Sequence, residues 1–119
     1  MVDKFPLNER TAKFAEEIIE LCQSIDATIM NRPIISQLVR SGTSIGANYA
    51  EATAGSSKKD FRNKIFICKK EAQETRYWLR MLTKLCGQKE QLLKLIDECQ
   101  QLILIFQRIT STIDGKSRN

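Results

Sequence analysis

"FRNKIFICKKEAQETRYWLRMLTKLC", Phe61 to Cys86, has a small or apolar residue at Phe61, Ile65, Cys68, Ala72, Thr75, Leu79, Leu82 and Cys86. The steps between them alternate four and three throughout. On a helix of 3.6 residues per turn those positions form one slowly winding seam, the pattern of left-handed helix packing. A strand would require alternation by two, and nothing of that kind competes.

The same rule extends outward in both directions. Downstream, Leu92, Leu95, Cys99, Leu102, Phe106, Ile109 and Ile113 repeat the spacing after Gly87, which reads as a C-cap. Upstream, Phe14, Ile18, Leu21, Ile25 and Ile29 form a stripe that opens at an Asn8 N-cap and closes at "MNRP". Pro33 suits the first turn of the next helix, and Ser56 or Ser57 can cap the third, with Asp60 in its first turn. The expectation is four helices over about 8–28, 33–54, 57–86 and 89–113, with a frayed tail at 114–119. Short connections between long amphipathic helices make this an all-α, antiparallel up-and-down four-helix bundle, one domain over 1–119.

The second segment contains "RSGTSIGANYAEA", Arg40–Ala52, unusually rich in small residues. It lacks the glycine spacing of a phosphate-binding loop and has no strand before it. Placed on a helix, it sorts into three stripes. Leu38, Ile45, Tyr49 and Ala52 are apolar, while Gly42, Gly46, Ala50 and Ala54 form a side-chain-poor groove. Ser41, Ser44, Asn48 and Glu51 form a polar stripe. Glycine inside a helix costs roughly 0.5–1 kcal/mol against alanine, so the groove implies close approach of a neighbour. Two readings of the polar stripe stand: simple exposure, or a buried hydrogen-bond network.

Charge is unevenly spread in a chain of net charge +5. Residues 58–84 hold nine Lys or Arg against three acids, while residues 7–29 hold two against five. On the third segment the seam has two different flanks. One carries Arg62, Lys69, Gln73, Arg76, Arg80 and Lys84, with Phe66 and Tyr77 adjacent. That is either a solvated face or a surface for phosphates and bases of RNA or DNA. The other carries Ile67, Glu71, Glu74, Trp78, Met81 and Leu85, a mixture of aromatic, apolar and acidic residues that fits a subunit interface.

Catalytic and cofactor chemistry find little support. There is no histidine, which removes the commonest general base and half of a bundle di-metal motif. The four cysteines form no C-x-x-C pair, so neither a metal site nor any cofactor is expected. The opening "MVDKFPLNER" has no apolar stretch, and no apolar run approaches the roughly 20 residues of a membrane span. The expectation is a cytoplasmic, non-enzymatic protein with reduced thiols and no membrane contact.

"LVRSGTSIGANYAEA" (Leu38–Ala52) followed by "SSKKDFRNKIFICKKEAQETRYWLRML" (Ser56–Leu82) resembles the bacterial four-helix-bundle family of 23S ribosomal RNA intervening-sequence proteins. The resemblance implies a ring-like homo-oligomer, a pentamer. It assigns the family motif to Arg40, Ser44, Asn48, Glu51, Glu71, Glu74, Tyr77 and Trp78, as contacts between helices or subunits. A related branch, the accessory variability determinant of diversity-generating retroelements, binds nucleic acid and partners a reverse transcriptase. The sequence reading is therefore a self-associating RNA- or DNA-binding protein using Arg62, Lys69, Arg76, Arg80 and Lys84. Its alternative is a protein–protein adaptor to a reverse transcriptase or ribosomal component.

Overall fold

The computed structural model describes residues 6–55 and 57–115. Four helices follow in order: α1 (Leu7–Gln23), α2 (Arg32–Ala54), α3 (Lys58–Leu82) and α4 (Lys89–Ile113). They form an antiparallel up-and-down bundle in which α3 is packed between α2 and α4, and α1 lies mainly on α2. The four–three seam of α3 is buried from Ile65 to Leu82, with Phe61 and Cys86 half-buried at its ends. Leu92, Leu95, Cys99, Leu102 and Phe106 of α4 meet it. Fully burying such a side chain contributes about 1.5–3 kcal/mol, several times any exposed ion pair, so this seam decides the fold. Cys68 and Cys99 sit in it as small apolar groups, each thiol donating across to a helical carbonyl, Ile45 at 3.5 Å and Ala72 at 3.0 Å.

Helix ends depart from the sequence expectation in instructive places. α1 ends at Gln23 rather than 28. The Ser24 hydroxyl donates to Leu21 O at 2.6 Å, closing the last turn. Asn31, which is buried, then ties the connection: its Oδ1 accepts from Thr28 N at 2.7 Å and its Nδ2 donates to Asp26 O at 2.9 Å. Ile25 still reaches the core, but Ile29 is 87% exposed and not part of the stripe. At the other end, Pro6 precedes the helix and its carbonyl accepts from Arg10 N, so Asn8 lies inside the first turn instead of capping it.

α3 stops at Leu82 rather than 86. The Thr83 hydroxyl donates to Arg80 O at 2.6 Å, and tight turns carry the chain through Leu85. Gly87 does not cap the helix, because its φ is not positive; that conformation occurs at Gly115, after α4. Gln88 Nε2 donates to Ser24 O at 3.2 Å and links the two connections at this end of the bundle. Ser57 caps α3 as expected, accepting from Asp60 N at 3.0 Å. Ser56 and the tail from 116 onward lie outside the described residues.

The small-residue groove of α2 is used over half its length. A Cβ on Gly42 would meet two carbons of Ile18 at 3.2 Å, and one on Gly46 would meet Thr11 Oγ1 at 3.1 Å. Ala50 and Ala54 are exposed. Because Ile18 is fully buried and branched, it has little room to yield. Gly42→Ala should therefore lower stability by about 1 kcal/mol in urea titrations, despite alanine's better helix propensity. In an Ile18→Ala background the same change should stabilise.

Candidate nucleic-acid interface

Three cations on one flank of α3 reach across to α4. Arg62 makes a two-pronged pair with Asp114, Nε to Oδ1 at 2.5 Å and Nη2 to Oδ2 at 2.8 Å. Lys69 donates to Gln107 Oε1 and Arg76 to Gln100 Oε1. The partners step seven residues forward on α3 and seven back on α4, so they form a ladder along an antiparallel seam. Asp114 neutralises Arg62, whereas the two glutamines leave the charges of Lys69 and Arg76 in place. The next step of the ladder brings Thr83 beside Leu93, and here the polar pairing ends.

At that point a groove of about 380 Å³ opens, lined by Arg80, Thr83, Lys84, Lys89, Leu93 and Ile96. Three cations border an apolar floor, and no carboxylate lines it. Arg80 and Lys84 are exposed. The five basic residues singled out from sequence therefore divide: Arg62, Lys69 and Arg76 brace α4, while Arg80 and Lys84 face outward. Lys89, which sequence reasoning missed, joins them because the α3–α4 turn folds back.

The opposite flank of α3 faces α2. Arg40 pairs with Glu74, and its Nη1 lies 3.5 Å from Glu71 Oε1. Trp78 Nε1 donates to the same Glu74 carboxylate at 3.3 Å, and Tyr77 meets the Trp78 ring edge-on, with centroids 5.0 Å apart. The remaining motif residues do less across the seam. Ser44 donates to Arg40 O at 2.6 Å and Asn48 to Ser44 O at 2.8 Å, both within α2, while Glu51 pairs with Lys64 at 2.6 Å. Of the polar stripe only Ser41 is fully buried, and it accepts from the Thr75 hydroxyl at 2.9 Å. Thr75 was hidden in sequence because it occupies an apolar seam position. Arg10, also missed, bridges α1 to α4 by donating to both Glu98 oxygens at 2.7 and 2.9 Å and to Gln101.

Three of the four cysteines are held in the thiol form. Burial pushes the Cys22 thiol up to about 11 and Cys68 and Cys99 to about 12, away from the nucleophilic thiolate. Among the described residues no three His, Cys, Asp or Glu side chains stand where they could hold a metal ion, and no helix is long and apolar enough to cross a membrane.

The Arg40 hydrogen bond, above all, holds the Glu74 carboxyl below its ordinary value of 4.5. The pairing thus favours the folded chain at neutral pH, and that contribution is lost as pH falls from 4.5 through the lower folded value. Arg40→Met should lower the urea midpoint at pH 7 slightly, by under about 1 kcal/mol for so exposed a pair. The gap to the parent chain should narrow progressively as pH falls below 4.5.

The family model of the 23S rRNA-intervening sequence protein matches residues 4–108. A crystal structure from Bacteroides thetaiotaomicron VPI-5482, described as a protein of unknown function from the S23 ribosomal protein family, superposes with a TM-score of 0.75 at 32% identity. That alignment covers 88% of this chain and 98% of the other. No curated protein matches. The bundle, its motif on α2 and α3 and these matches agree: the chain belongs to the 23S rRNA-intervening sequence protein family.

Proposed function

We propose that this chain is a non-catalytic, self-associating protein that binds the phosphates of RNA or DNA through the outer basic face of α3 and the adjoining start of α4. The observation that carries the reading is the convergence of Arg80, Lys84 and Lys89 at one groove with no acid among them. A net charge of +5 and the uncompensated charges on Lys69 and Arg76 add to the same field. The family description, which refers to an intervening sequence of 23S rRNA, is consistent with an RNA-linked role. All four cysteines are free, as suits a reducing cytoplasm.

Self-association is supported by the α2–α3 flank, where Trp78 and Leu85 are only partly covered by the bundle and continue beside the Arg40–Glu74 pair. A homopentameric ring, as the family resemblance implies, would repeat the basic face around one particle and gain avidity from contacts that are weak singly. Light scattering should give a mass several times the 13.6 kDa of one chain. A monomeric mass would remove this part of the proposal.

The phosphate reading has a separate test. Arg80→Glu with Lys84→Glu should abolish binding of a labelled RNA at 50 mM salt while helix content and particle mass stay unchanged. In the parent chain, log affinity should fall linearly with log salt, and single neutral replacements at these positions should each reduce the slope by roughly 0.7–0.9. Arg62→Met, by contrast, should lower the melting temperature and leave binding nearly intact, because Asp114 already neutralises that charge. Unaltered binding by the double variant would place the interface elsewhere.

A further inference from the structure

We infer that the groove at the α3–α4 turn takes an unpaired base, so that this face selects single-stranded over duplex nucleic acid. The inference rests on the phosphate reading above and narrows it. A duplex keeps its bases stacked inside and offers only phosphates and groove edges. It would meet Arg80, Lys84 and Lys89 but leave the floor uncovered. Leu93 in that floor is 62% exposed beside Ile96, an apolar surface that a splayed base can cover and a stacked duplex cannot. The volume, about 380 Å³, lies within the range of small-molecule sites.

The outer face of α3 leads directly into this groove. Lys70, Tyr77 and Lys84 repeat every seven residues, and Phe66, Gln73 and Arg80 repeat beside them. Rings and cations therefore interleave along one solvent face. Phe66 and Tyr77 are each 53% exposed, eleven residues apart, or about 16 Å along the axis. Tyr77 meets Trp78 in a T-shaped contact, centroids 5.0 Å apart and planes at 76°, while more than half of it stays exposed. The Lys69 ammonium lies 5.9 Å from the Phe66 centroid, beside the first ring. Aromatic platforms alternating with cations are how sequence-tolerant proteins hold single strands: every base has a face to stack, and every nucleotide brings a phosphate.

The test uses the full chain and fluorescence anisotropy at 50 mM salt, with a labelled 12-nucleotide oligouridylate or oligothymidylate and a blunt duplex of equal length. The single strands should bind about tenfold tighter than the duplex. Tyr77→Ala and the uncharged Leu93→Ser, both at exposed positions, should each weaken single-strand binding about tenfold and leave duplex binding unchanged, with helix content constant. Trp78 fluorescence should be quenched on addition of the unlabelled strand, and less so in Tyr77→Ala. Equal binding of strand and duplex, indifferent to both variants, overturns the inference while leaving the phosphate reading intact. No binding of either overturns both. A polyglutamate peptide that binds more tightly than the strands overturns the inference in favour of an acidic protein partner.

Discussion

The uninterrupted four–three seam of α3 is the constraint from which the other features descend. Because α3 packs on both α2 and α4, burying Ile65 through Leu82 settles the orientation of every other residue on that helix. The acids Glu71 and Glu74 turn toward α2 and find Arg40. The bases Arg62, Lys69 and Arg76 turn toward α4 and find Asp114, Gln107 and Gln100. Phe66, Lys70, Gln73, Tyr77 and Arg80, with Lys84 just past the helix end, are left outside. Charge on this protein is thus segregated by helix register, and the burial of a few apolar side chains outweighs each polar pair that results.

Within that frame the two flanks serve different ends. The α2 side ends in a cluster of Arg40, Glu74, Trp78 and Tyr77, where hydrogen bonds and ring contact hold an aromatic pair at the surface. The α4 side is a ladder whose acceptors are mostly neutral amides. A carboxylate at each step would have bound the cations more firmly and cancelled their field. Glutamine holds Lys69 and Arg76 in place and leaves the face positive, so packing and the surface potential coexist on the same residues.

Period was legible in the sequence because burial imposes it residue by residue; α2 and α4 lie within a residue of their expected bounds, and Ser57 caps α3. Helix ends were less legible. α1 continues its apolar rhythm through Ile25 and Ile29, yet stops at Gln23, because Asn31 bonds back to Thr28 and Asp26 across a connection that no periodicity encodes. Gly87 looked like a cap, but α3 had already ended at the Thr83 hydroxyl. The Ser41–Thr75 hydrogen bond was invisible from the side of Thr75, which counted as a seam position and is also a donor. The basic flank was visible as a stripe, but its division between ladder and open face depends on which α4 residues lie opposite. The turn from Thr83 to Gln88 determines that register.

The same register constrains the proposed polyanion site. Arg62 can turn to a phosphate only by giving up Asp114, whereas Lys69 and Arg76 keep spare N–H donors but are tethered to glutamines of α4 and cannot swing far outward without weakening the seam. Arg80, Lys84 and Lys89 carry no such penalty, because the ladder has ended and Leu93 stands where an acceptor would be. A single chain therefore offers a handful of inexpensive phosphate contacts at one end of the bundle, few for tight binding at physiological salt. Two physical routes increase affinity without disturbing the seam: use of the apolar floor and the exposed rings, which salt does not screen, and repetition of the face in an oligomer. Both leave the α3–α4 ladder intact, and both use surface that packing within one bundle leaves uncovered.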